Sequence, residues 1–215
     1  HGGNDMSETI LVTGASAGFG QAICRRLVAD GYRVIGSARR IDKLQALQEE
    51  LGEAFYPLQM DVTDLSQVDH ALASLPKAWE RVDVLVNNAG LALGLAPAYE
   101  AEIADWLTMI QTNIVGLTYL TRKILPQMVE RNDGYIINLG STAGTVPYPG
   151  ANVYGASKAF VKQFSLNLRA DLAGKKIRVS NIEPGLCEGT EFSSIRFKGD
   201  EKRVEALYRG AHAIQ

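Results

Sequence analysis

The chain has 215 residues, of which 46% are hydrophobic and 21% charged, and 22 basic against 24 acidic side chains leave a net charge of −2. That length predicts one domain able to bury roughly 70% of the surface its unfolded chain exposes. The near-neutral balance offers no electrostatic footprint for nucleic acid or an anionic membrane. Two cysteines, Cys24 and Cys187, make no disulfide framework and lack metal-ligand spacing, so no metal site is expected and a reducing compartment is. Residues 134–157 carry no charge, but their Gly, Ser, Thr, Asn and Pro content excludes a lipid-facing helix. Residues 1–5 (HGGND) have no basic or apolar leader character and read as an expression-tag remnant, which leaves 6–215 as the domain.

Short apolar runs alternate with segments of helical period along the whole chain. Residues 10–13 (ILVT) read as a buried strand, followed by a helix with Ile23, Leu27 and Val28 on one face that Gly31 stops. A second strand is predicted at 33–37 and a helix at 41–51, with Ile41, Leu44, Leu47 and Leu51 on one face. Strands follow at 54–59, 82–86, 134–139 and 178–182, with helices near 65–75, 103–131 and 153–173. Strands alternating with helices imply parallel pairing and right-handed crossovers. The strands are apolar on both sides, as a doubly covered sheet requires. The expected fold is a single α/β domain, a doubly wound, Rossmann-like parallel sheet with helices on both faces.

The turn after the first strand is TGASAGFG, residues 13–20, opening into a helix. Gly14, Gly18 and Gly20, with Ser16 and Phe19 between them, let the backbone approach a pyrophosphate seated on a helix N-terminus. With Gly at about a tenth of the chain, such spacing arises by chance in roughly one chain in five. Its place between a strand and a helix is what makes it a dinucleotide fingerprint. At the end of the second strand a free 2′-hydroxyl calls for Asp or Glu, and a 2′-phosphate for Arg. The sequence there is Ser37-Ala38-Arg39-Arg40, and the two guanidiniums predict NADP over NAD.

Tyr154 and Lys158 lie at i, i+4 on one helix face. Among eight tyrosines that spacing recurs by chance in roughly one chain in three, so its company decides. Ser141 follows the fifth strand, the NNAG turn with Asn88, Ala89 and Gly90 follows the fourth, and Asn113 lies within a helix. The C-terminal ends of parallel strands face the ligand crevice, so these segments and Pro184-Gly185 should line one cleft.

In this order and at these separations, TGxxxGxG, NNAG, the helical Asn, Ser, YxxxK and PG resemble the short-chain dehydrogenase/reductase family from about residue 10 to residue 199. The resemblance implies that Tyr154 is the acid/base, Lys158 holds the nicotinamide ribose, Ser141 binds the substrate oxygen and Asn113 holds a water in a proton relay. It further implies that Asp61 and Val62 contact adenine and that Thr190 touches the carboxamide. The segments LALG at 91–94 and IEPG with GTEFSSIRFKGD within 182–200 are similar to the branch of NADP-dependent 3-hydroxy acid dehydrogenases. That branch implies serine, L-allo-threonine or 3-hydroxybutyrate-like substrates, a cytoplasmic enzyme and a homo-oligomer, tetramer or dimer. No counterpart is expected here for the helix and last strand with which members of the branch end.

The chemistry has its own logic. An alcohol cannot lose hydride unless its proton also leaves, so a base must touch its oxygen. A free tyrosine is only about 0.1% phenolate at pH 7, and lowering its pKa by three units requires roughly 4 kcal/mol. A cation about 4 Å away at an effective dielectric near 20 supplies roughly that much. A 3-hydroxy acid also brings a carboxylate that needs a cation, and Arg196, on the segment after Pro184-Gly185, is the candidate. The competing expectations are a short-chain reductase of other small carbonyl compounds, an NADP-sensing protein without chemistry, and a sugar-nucleotide epimerase. The epimerases usually space their glycines GxxGxxG in longer chains. A sensor has no use for Ser141, Tyr154 and Lys158 together.

Overall fold

The computed structural model describes residues 8–183. Pro184, Gly185, Thr190, Arg196 and the 1–5 segment, on which sequence expectations also fall, lie outside the described residues. Among the described residues, six strands form one sheet in the order β3-β2-β1-β4-β5-β6, every neighbouring pair parallel. They are β1 (Thr9–Thr13), β2 (Arg33–Ala38), β3 (Phe55–Gln59), β4 (Val84–Asn87), β5 (Gly134–Leu139) and β6 (Ile177–Ile182). The helices are α1 (Gly18–Ala29), α2 (Ile41–Leu51), α3 (Leu65–Ala73), α4 (Ile103–Ile110), α5 (Leu117–Arg131) and α6 (Asn152–Asp171). This is the doubly wound α/β fold that the alternating pattern predicts.

Strand alternation divides the core into two layers. Ile10, Val12, Val34 and Ile137 point to the face covered by α1 and α2, where Ile23, Leu27, Leu44 and Leu47 meet them. Leu11, Ile35, Leu85 and Ile136 point to the other face, against Val68, Leu120, Ile124 and Leu168. At roughly 1.5–3 kcal/mol per fully buried aliphatic side chain, both faces contribute, which is why the strands are apolar throughout rather than alternating. Pro57 lies in β3, whose free side needs no ladder partner because β3 is the sheet's edge. Among the described residues no helix is long and apolar enough to cross a membrane.

The single helix expected over 103–131 is divided. Between α4 and α5 the chain runs through a π-helical segment, Gln111–Gly116, and Asn113 sits inside it. Such wide turns commonly occur at functional sites. Its cause is tertiary. The Asn113 amide is drawn onto the backbone of Leu91, while Gly116 lies so close to Val62 that an added Cβ would come within 2.8 Å of the Val62 carbonyl oxygen.

Candidate active site

The order of strands reverses between β1 and β4, and their C-terminal ends open on a cleft of about 520 Å³. Of the residues expected to bind a dinucleotide, Gly14, Ser16, Phe19, Gly20, Arg39, Asp61, Val62, Asn88, Ala89 and Gly90 line it. Among the described residues, Gly18, Arg40, Tyr154 and Lys158, also expected to bind the dinucleotide, are not among the lining residues, and neither are Asn113 and Ser141. Arg40 is the exposed residue preceding α2. The loop between β1 and α1 is built for close backbone approach, since a Cβ at Gly20 would collide with the carbonyl oxygen of Gly14. No larger residue fits there.

The floor of the cleft is held by Thr13, which no sequence motif marks for this role. Its Oγ1 accepts the backbone N–H of Asn88 at 2.9 Å and of Ala89 at 2.8 Å. The Asn88 amide donates in return to the Thr13 carbonyl at 3.0 Å and the Gly14 carbonyl at 3.3 Å. Four hydrogen bonds therefore tie the two loops together. Asp61 caps its own turn, its Oδ1 accepting from the Thr63 N–H at 2.9 Å and the Thr63 hydroxyl at 2.7 Å. Met60, Leu91, Thr108 and Thr112 also line the cleft, and sequence reasoning does not single them out. Thr108 and Thr112 stand a helical turn apart, which is the one signal available for two of them.

Beside the Gly90 end of the cleft stand two of the groups expected to do chemistry, Asn113 and Lys158. A Cβ at Gly90 would lie 3.4 Å from Lys158 Nζ and 3.4 Å from Asn113 Oδ1, so both side chains reach that end. Lys158 Nζ donates to the Leu139 carbonyl at 3.1 Å and lies 5.9 Å from the centre of the Tyr154 ring. Burial pushes the Lys158 pKa down to about 8. The Asn113 side chain is fully committed as a clamp. Its Oδ1 accepts the Leu91 N–H at 2.8 Å, and its Nδ2 donates to the Leu91 carbonyl at 2.9 Å and to Ser157 Oγ at 3.1 Å. Ser157, equally unmarked in the sequence, donates onward to the Tyr154 carbonyl at 2.7 Å.

Ser141 begins the 3₁₀ turn Thr142–Gly144, with its Oγ accepting the Ala143 N–H at 3.1 Å. That turn is pressed on the first half of α6, and a Cβ at Gly144 would lie 2.8 Å from the Ala159 nitrogen. Ser141, Tyr154 and Lys158 thus belong to one packed unit on β5 and α6.

The chain is similar to known proteins over most of its length. The model of the short chain dehydrogenase family matches residues 8–200. A probable NADP-dependent dehydrogenase of Haemophilus influenzae is 59% identical over 207 residues, spanning 96% of this chain and 82% of the relative. The NADP-dependent 3-hydroxy acid dehydrogenase YdfG of Escherichia coli is 58% identical over 205 residues, 95% of this chain and 83% of that one. A solved structure described as the closed form of serine dehydrogenase complexed with NADP+ superposes with a TM-score of 0.81 at 58% identity, covering 94% of this chain and 81% of the other.

Proposed function

Because the chain belongs to the short chain dehydrogenase family, we propose that it is an NADP-dependent dehydrogenase that moves a hydride between the nicotinamide and a small 3-hydroxy acid such as serine. The observation that carries this reading is the seat of Lys158. A largely desolvated ammonium one helical turn from Tyr154, at the Gly90 end of a dinucleotide-sized cleft, costs the fold more than its one hydrogen bond to a neutral carbonyl returns. The relatives' descriptions support both the cofactor and the substrate class.

The cleft fits NADP on its own chemistry. The tight turn from Gly14 to Gly20 brings the N-terminus of α1 to the cleft, where a pyrophosphate can be met by backbone N–H groups, and Arg39 brings a cation to the lining for a 2′-phosphate. When bound, NADP supplies the hydride acceptor. Tyr154 takes the proton from the substrate hydroxyl as the hydride leaves, and Lys158 lowers the cost of the phenolate by its charge. Ser141 offers its hydroxyl to the substrate oxygen. The Asn113 side chain holds Leu91 and Ser157, so a relay water would be bound through its backbone rather than its amide. Pro184, Gly185 and Thr190, outside the described residues, are assigned to cofactor binding on the family pattern alone.

The substrate carboxylate requires a cation, since an unpaired carboxylate in an apolar cleft is costly. Arg196 is the residue assigned to it, and Arg196→Met should raise KM for serine while sparing an uncharged alcohol. Oligomer formation draws support from the exposed Ile103 and Leu107, one turn apart on α4, and light scattering tests it. The reading itself is tested by mixing protein, NADP+ and L-serine and following NADPH at 340 nm. Tyr154→Phe should remove turnover and leave NADP affinity nearly unchanged, because the hydroxyl serves the transition state more than binding. Retained turnover in that variant would overturn the acid/base assignment.

A further inference from the structure

Asn87 on β4 pairs in register with Asn138 on β5, near the strand ends that face the cleft. Both are buried, Asn138 completely, so their amides must be satisfied by protein atoms. They are joined in a directed chain. Asn87 Nδ2 commits its two hydrogens to Thr121 Oγ1 on α5 at 3.1 Å and to Asn138 Oδ1 at 2.8 Å. Asn138 Nδ2 donates to Ser165 Oγ on α6 at 3.0 Å, and the Ser165 hydroxyl donates to the Val161 carbonyl at 2.8 Å. Each group polarises the next, so the chain is stiffer than separate bonds would be.

The need for such a chain follows from the surroundings. α6 lies on an apolar sheet face, and apolar contact is non-directional: it sets how far the helix stands from the sheet but resists sliding poorly. Directional bonds fix the axial position. β5 supplies two from adjacent residues, Asn138 to Ser165 and the Leu139 carbonyl to Lys158 Nζ. Ser165 and Lys158 are seven residues apart, about 10 Å along the helix and on the same face.

We propose that Asn138 is a positioning residue for the reaction: through Ser165 it fixes where α6 sits along β5, and so where Lys158 and Tyr154 stand relative to the cleft. It touches neither substrate nor cofactor. The proposal rests on the reading of Tyr154 and Lys158 as the acid/base pair.

The network contains its own control. Thr121→Val cuts the same chain at its α5 end, leaving the bonds to α6 intact, whereas Ser165→Ala cuts it at α6. With the full-length protein, NADP+ and L-serine, Ser165→Ala should lower kcat about five- to twentyfold, with KM for NADP within about twofold. The acidic limb of the kcat–pH profile should move upward by about half a unit or more as Lys158 is displaced from Tyr154. Ser165→Thr, which keeps a hydroxyl, should restore both. Thr121→Val should lower the melting temperature without moving the limb. Asn138→Leu removes the anchor from the strand side and carries the same expectation as Ser165→Ala, so loss of fold in one leaves the other to decide. An unmoved limb in the folded variants, or an equal movement in Thr121→Val, overturns the proposal. Retained turnover in Tyr154→Phe would instead overturn the acid/base reading, which separates the two failures.

Discussion

Lys158 reaches across from α6 to the end of β5, its Nζ 3.1 Å from the carbonyl oxygen of Leu139. A single neutral acceptor does not replace the hydration of an ammonium, and the lowered pKa of about 8 is the mark of that deficit. The site is therefore built at some expense to the fold, as sites that need a perturbed group commonly are.

The expense is measurable. In the unfolded chain the amine keeps its ordinary pKa of 10.5, so between pH 8 and 10.5 the unfolded state binds more protons and stability rises with pH. Below pH 8 the amine is charged in both states and the desolvation penalty applies in full, on the order of 3 kcal/mol. Lys158→Met keeps an apolar stem and loses one hydrogen bond worth about 1 kcal/mol, so at pH 7 it should melt a few degrees above the parent. That excess should shrink as pH approaches 10, while activity is lost at every pH. A melting curve identical to the parent's from pH 6 to 10 would mean that the ammonium is well solvated.

Thr13 makes a second prediction. Its hydroxyl is the acceptor for two adjacent N–H groups of the turn after β4. Thr13→Val keeps the shape and orphans both donors, which should cost about 2 kcal/mol in urea denaturation and weaken NADP binding as the turn loosens. Thr13→Ser should recover most of both. If Val were tolerated without loss, water would have to be serving the turn.

How much of this is legible in the sequence depends on whether a feature is local. The strands, the turn with Gly14 and Gly20, and the Ser141–Tyr154–Lys158 set are written in periodicity and short motifs, and the structure brings them to one side of the sheet. The π-helical break is not legible, because 103–131 keeps an unbroken helical period. The break is imposed by Leu91, 22 residues from Asn113. Ser157 and Asn138 are silent, and the partners of Thr13 are not written in its motif, for the same reason: a hydroxyl or amide in a sequence does not say which distant group it will meet. Arg39 and Arg40 are indistinguishable as neighbours, and only the start of α2 separates them.

That separation predicts an unequal pair of mutants. Arg39 lines the cleft and Arg40 does not. Arg39→Asp should weaken NADP relative to NAD by on the order of 2–4 kcal/mol, about thirty- to a thousandfold in affinity. Arg40→Ala should change the ratio by less than about threefold, the effect of a screened surface charge. Equal losses in both, measured by fluorescence titration with each dinucleotide, would place the 2′-phosphate between the two side chains.

The last prediction concerns how Ser141 is kept against α6. Gly144 closes the turn that Ser141 opens, and the space a methyl group would need is occupied by backbone: the Ala159 nitrogen and the Lys158 carbonyl carbon, each 2.8 Å from where a Cβ would stand. Neither atom can yield without bending α6 at Lys158 itself. In Gly144→Ala the turn must therefore lift by several tenths of an ångström, and Ser141, tied to it through the Ala143 N–H, lifts with it. Overpacking of this kind typically costs about 1–3 kcal/mol of stability. The catalytic loss should be larger, because a displacement approaching 1 Å at a reacting group can cost about a hundredfold. The expected outcome is a ten- to hundredfold fall in kcat with KM for NADP little changed, since the dinucleotide cleft is lined by other loops. A fall in melting temperature with kcat intact would show that Ser141 tolerates the shift, and the assignment of its hydroxyl to the substrate oxygen would then fail.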